Sequence, residues 1–157
     1  MSRRVINTKS NKVSTFLTTE VQPDENPPTP LTAKNTAGPT TLTTSPQSIV
    51  SVTTPAFSSA QHALITVTCE YDTSGGNQDQ VTFGIYDGVV TNNIDEYHQT
   101  VGVATSEGNV QDTTGATTLV AGNGGARTFG LQAFEFSAGL VTVPANGARI
   151  VVQILDS

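Results

Sequence analysis

One cysteine, one methionine and no tryptophan stand among 157 residues. With Cys69 alone, no disulfide can close within the chain, and zinc sites built from several cysteines are excluded. No apolar run approaches the roughly 20 residues of a membrane-spanning helix, so no membrane partner is expected. The start, Met1-Ser2-Arg3-Arg4 leading into Val5-Ile6-Asn7-Thr8, lacks the apolar stretch of a secretory signal. No Asn-x-Ser/Thr sequon occurs either. Synthesis in a cytoplasm, without signal-led export, is the expectation.

The means of catalysis are equally sparse. His62 and His98 are the only imidazoles, and no Gly-x-Ser-x-Gly elbow accompanies them. The run Asp95-Glu96-Tyr97-His98 offers one pair, Glu96 and His98, on a common face of an extended segment, which is a poor transition-metal site. Asp72, Asp79 and Asp87 could give oxygen ligands to calcium, but the EF-hand spacing is absent and solvated turns account for them. Gly122-Asn123-Gly124-Gly125 has no Lys-Ser/Thr attached and reads as a turn rather than a phosphate loop. Any two of the later carboxylates could meet for glycoside hydrolysis, yet nothing singles out a pair. No enzyme, cofactor or metal is therefore expected, and no catalytic residue is assigned.

What is present divides the chain in two. Seven of the eight prolines lie at or before Pro55, and Thr, Ser, Asn, Pro and Lys dominate through Pro46. Such a stretch cannot bury enough apolar area to offset about 1–2 kcal/mol of ordering cost per residue. Residues 1–46 are thus expected to form an extended arm that gains order only on a partner, and residues 47–157 to form the folded domain. The arm holds five basic residues against three acidic ones, net +2, while the rest holds two against ten, net −8. Arg3, Arg4, Lys9 and Lys12 precede any acid. A basic tip on an acidic body suits an acidic protein surface. Four charges, with no basic–aromatic interleaving in the body, do not suit nucleic acid, which is not an expected partner.

From Gln47 onward apolar runs alternate with Gly, Asn and Asp clusters. Strands are expected over 48–53, 61–71, 81–86, 97–105, 117–121, 127–136, 140–143 and 148–155. Along the second, Ala63, Ile65, Val67, Cys69 and Tyr71 share one face and Thr66, Thr68 and Glu70 the other. In the sixth, Phe129, Leu131 and Ala133 point inward, and Phe134 and Phe136 call for a change of face through a bulge. Asp87-Gly88 and Asn146-Gly147 read as hairpin dipeptides. About eight strands and no helix predict an all-β, antiparallel β-sandwich, jelly-roll-like.

The cadence of Val81-Thr82-Phe83-Gly84-Ile85-Tyr86-Asp87-Gly88, then Arg127-Thr128-Phe129-Gly130-Leu131-Gln132-Ala133, then Val141-Thr142-Val143 and Ala148-Arg149-Ile150-Val151-Val152-Gln153-Ile154-Leu155, resembles the β-sandwich virion structural proteins of tailed phages and related viruses, of the capsid decoration or cement type. The resemblance spans residues 61–155 and lies in strand patterning. It implies a homotrimer assembled in the host cytoplasm, located in the virion, and tethered by its arm to the major capsid protein or other virion subunits. The arm contacts would fall on Arg3, Arg4, Val5, Ile6, Lys9, Lys12, Phe16 and Leu17. Fully extended, 46 residues reach on the order of 150 Å. The alternative expectation is a tail- or spike-associated host-recognition module whose loops bind a glycan or a surface protein.

Overall fold

The computed structural model describes residues 29–73, 79–101, 110–136 and 141–156. Its strands are β1 (Leu31–Lys34), β2 (Thr40–Thr41), β3 (Gln47–Thr53), β4 (Gln61–Thr73), β5 (Asp79–Asp87), β6 (Asn93–Val101), β7 (Val110–Ala121), β8 (Thr128–Glu135), β9 (Val141–Val143) and β10 (Ala148–Asp156). No helix occurs among the described residues.

The pairings nest. β1 pairs with β10, β2 with β9, β3 with β8, β4 with β7 and β5 with β6, all antiparallel. The chain is therefore one long hairpin. Rolling it up brings β10 and β9 against β4, and β8 against β5. The product is two sheets, β3-β8-β5-β6 and a second in which β1, β10, β4 and β7 are successive neighbours. This is a jelly-roll sandwich.

The second sheet explains why the sandwich begins before Gln47. β9 and β10 lie end to end along the same side of β4: Val141 is opposite Thr73 and Ala148 is opposite Cys69. β1 and β2 likewise run end to end beside them. Each is one strand interrupted once, and Asn35 fills the interruption. Its N–H donates to the Ala148 carbonyl (3.1 Å), and its carbonyl accepts from Asn146 N–H (2.7 Å). Its side-chain Nδ2 donates to Pro144 O (2.9 Å), and Oδ1 accepts from Ala148 N–H (2.7 Å). Leu31–Lys34 and Thr40–Thr41 thus lie in the sheet, within the stretch expected to be arm, and Leu42 is buried in the core. Asn146-Gly147 is no hairpin. Gly147 N–H closes a tight turn on Pro144 O (3.0 Å), with Asn146 at φ 63°, and the chain continues in the same direction. Asn tolerates that left-handed conformation.

Asn35→Ala leaves the buried Ala148 N–H unpaired, at about 1–3 kcal/mol, and takes from Pro144 O one of its two donors, at about 1 kcal/mol, the Gly147 N–H remaining. A loss of about 2–4 kcal/mol in urea unfolding is expected. Asn35→Asp keeps the acceptor for Ala148 N–H but cannot donate to Pro144, and should not restore full stability.

Strict alternation builds the core. Ala63, Ile65, Val67, Cys69 and Tyr71 of β4 meet Val81, Phe83 and Ile85 of β5 and Phe129, Leu131 and Ala133 of β8. Tyr71 and Phe83 face each other across the sheets at 5.4 Å between ring centroids, and Phe57 caps Phe129 at 6.5 Å. β8 keeps its alternation without the expected bulge. Glu135 takes the inward position, fully buried, and accepts Val141 N–H at 2.9 Å, so Phe134 and Phe136 remain in the outward row. The register shift lies instead on β3, between Ser48 and Val50, and turns both Ile49 and Val50 inward. β6 begins four residues earlier than the expected 97, and β7 seven earlier than 117.

Candidate interaction surfaces

Arg3, Arg4, Val5, Ile6, Lys9, Lys12, Phe16 and Leu17 lie outside the described residues. What the structure positions is the body that the arm leaves. The chain enters the sandwich at β1, an edge strand paired only with β10 among the described residues, immediately after Pro27-Pro28-Thr29-Pro30.

Within the body, the sparse chemical groups are mostly in structural use. Asp87, a candidate calcium ligand, is held by Arg127: Nε donates to Oδ1 at 3.3 Å and Nη2 to Oδ2. Arg127 also donates Nη1 to Ala121 O at 2.7 Å and lies 5.1 Å from the centre of the Phe129 ring. One guanidinium thereby joins the end of β5, the end of β7 and the start of β8. Asp87-Gly88 does turn the chain, with Gly88 at φ 78°, but the loop is longer than a two-residue hairpin. Asp87 N–H donates to Asn92 O (3.1 Å), and Asn92 Nδ2 to Asp87 O (2.8 Å). Asp72 sits within β4 opposite Gln111 and Thr142. The side chains of Asp79, Glu96 and His98 lie outside the described residues, and His62 is half-buried on β4. No group of three or more His, Cys, Asp or Glu side chains gathers among the described residues.

Cys69 is fully buried, and burial, with a smaller contribution from the Glu70 carboxylate, pushes its thiol up to about 12. The thiolate is the reactive form. A thiol reagent at pH 8 is expected to label the folded chain at well under a hundredth of the rate seen in denaturant; comparable rates in the two states would place Cys69 outside the core.

The outward face of β3-β8-β5-β6 is more enclosed than its alternation implies. Tyr86 lies flat across Gly130, where an added Cβ would come within 2.4 Å of the ring, and its hydroxyl meets Ser48 Oγ at 2.7 Å. Thr82 and Gln132 are fully buried on the same face, and the Gln132 amide has no hydrogen-bond partner among the described residues. Tyr71 and Tyr86 are therefore core and sheet-face residues. Among the described residues, the large apolar side chains that do reach solvent are Val89 in the β5–β6 loop, Leu119 on β7 and Phe136, which packs on Phe134 at 6.1 Å.

β7 is the more open feature. Its row Thr114, Ala116, Thr118, Val120 is half-buried, its row Thr113, Gly115, Thr117, Leu119 is exposed, and it pairs with β4 alone among the described residues. Sequence reading missed its first seven residues, because Val110-Gln111-Asp112-Thr113-Thr114-Gly115-Ala116 carries little apolar contrast. No protein-family model matches the chain, and no curated protein matches it in sequence.

Proposed function

We propose that the chain is a virion structural protein, a decoration or cement protein that binds the outside of a capsid through its N-terminal arm and stabilises the shell. One observation carries this reading: the division of charge along the chain path. Residues 29–157 hold three basic residues against ten acidic ones, net −7, whereas the first twelve hold four basic residues and no acid. The body is repelled by an acidic shell surface, and only the tip is complementary to it. Jelly rolls serve viral capsids and lectins alike, so the fold by itself selects neither. The arm leaving an edge strand through a run of prolines favours the tether.

Ordering 28 residues costs on the order of 30–50 kcal/mol. A large partner surface is needed, on the major capsid protein or another virion subunit, with backbone pairing and apolar anchors at Val5, Ile6, Phe16 and Leu17. The chain self-associates as a homotrimer in this reading, which multiplies the weak contacts of each arm.

The test is substitution of Arg3, Arg4, Lys9 and Lys12 together by Ala, measured as binding to particles stripped of the protein. Exposed charge contacts are worth about 0.2–1 kcal/mol each, so binding should weaken by roughly tenfold to several hundredfold and lose much of its salt dependence. Unchanged affinity with an unchanged salt slope would exclude the tip from docking.

A further inference from the structure

Among the described residues, four edges bound the two sheets: β1, continued end to end by β2, and β7 on one, β3 and β6 on the other. Exposed edges invite pairing with other chains, and proteins blunt them by shortness, bulges, prolines or charge. Three of these edges are blunted. β1 has four residues; β3 has a register shift and lies between Pro46 and Pro55; β6 carries Asp95 and Glu96. β7 has none of these devices. It runs twelve residues in unbroken register with β4 and holds no proline, no Lys or Arg, and one acid, Asp112. Ala116 and Val120 pack against the core from its inner row yet stay partly exposed, and Leu119 is 57% exposed on the outer row.

The chain carries a segment suited to that edge. In Val13-Ser14-Thr15-Phe16-Leu17-Thr18-Thr19-Glu20-Val21, the residues Val13, Thr15, Leu17, Thr19 and Val21 alternate with Ser14, Phe16, Thr18 and Glu20. It is rich in β-branched residues and free of Pro and Gly, as a strand requires. Extended, it covers about 30 Å, within the roughly 40 Å of β7. One row can complete the cover over Ala116 and Val120 while Phe16 lies beside Leu119.

Residues 22–30 connect this segment to β1 and include Pro23, Pro27, Pro28 and Pro30. Such a linker is stiff and spans about 28 Å. Leu31 is level with Thr118, through Val152 and Ile65, and so stands three strand spacings, about 14 Å, from β7 of its own sheet. Returning there requires a sharp reversal that four prolines oppose. A neighbouring copy demands none.

We propose that residues 13–21 add as an edge strand to β7 of a neighbouring copy. This names the partner of Phe16 and Leu17 and leaves residues 1–12 to the shell; it rests on the tether reading only for the arm's departure from its own sandwich. A heterologous contact of this kind closes into a ring when the rotation between copies divides a full turn, as in a homotrimer, and otherwise runs on as a filament.

Sedimentation of the purified full chain, with no virion material present, tests it. The full chain and a form lacking residues 1–12 should form the same closed oligomer at micromolar concentration, and a form lacking residues 1–21 should be monomeric. Leu119→Lys, on an exposed site, should weaken self-association at least tenfold with an unchanged circular dichroism spectrum. A Leu17→Cys/Thr118→Cys chain should give, under added oxidant, covalent multimers on a non-reducing gel. An oligomer that survives loss of residues 1–21 would overturn the inference, a dimer then pointing to β7 pairing between copies. So would an intrachain bond confined to monomers, or no cross-link at all. Shell binding is read separately, so failure of the tether reading leaves these outcomes interpretable.

Discussion

Removing residues 1–21 is expected to abolish binding to stripped particles while the sandwich stays folded. The described sheets begin at Leu31, and none of their pairings uses a residue before it. The truncated chain should therefore keep its β-type circular dichroism and its cooperative unfolding. What it loses is all four charges of the tip together with Val5, Ile6, Phe16 and Leu17. Loss of self-association would also reduce avidity. A form lacking only residues 1–12 separates the two effects, because it spares the segment assigned to β7. That form should remain oligomeric and still bind particles at least tenfold more weakly. Full-strength binding after either deletion would move attachment to the sandwich.

The second large effect concerns stability. Arg127→Ala is expected to cost about 3–5 kcal/mol, because it strips the partner from a mostly buried carboxylate. The Arg127 and Asp87 side chains are 15% and 17% exposed, so water replaces little of what is lost. The change also removes the donor to Ala121 O and the cation over Phe129. For a domain of this size the melting midpoint should fall by roughly 10–20 °C. Arg127→Lys should recover little, since an ammonium cannot reproduce the two-pronged contact with Asp87. Replacing both residues by apolar ones of similar volume should recover much of the loss, as breaking a buried pair costs more than omitting it. A loss under 1 kcal/mol for Arg127→Ala would mean that the ion pair is solvated in solution.

How far the fold was legible follows from where its signals lie. β4 and β10 are buried on one face along most of their length, and on β5 the apolar Val81, Phe83 and Ile85 alternate with Thr82 and Gly84, so a period of two marks Ala63 to Tyr71, Val81 to Ile85 and Ala148 to Val152 plainly. β1 is four residues between prolines and a Thr-rich run, and only its long-range register with β10 shows that it is a strand. The role of Asn35 is beyond any local reading, because both of its side-chain partners lie more than 100 positions away. Glu135 defeats the pattern for a related reason. A carboxylate reads as outward until Val141 N–H, brought over by the return of the chain, gives it a buried partner. The arm presents the reverse case. Its site residues were assigned from charge order and apolar spacing alone, and no described contact positions them.

The division of labour between arm and sandwich is tested most directly by imaging the native assembly at a resolution that traces the main chain from Met1. The account predicts continuous density for residues 1–12 along a subunit of the shell, residues 13–21 as an added strand beside β7 of a neighbouring copy, and a sandwich standing clear of the shell surface. Density showing a sandwich face seated on the shell, with the arm contributing no contact to it, would contradict the account.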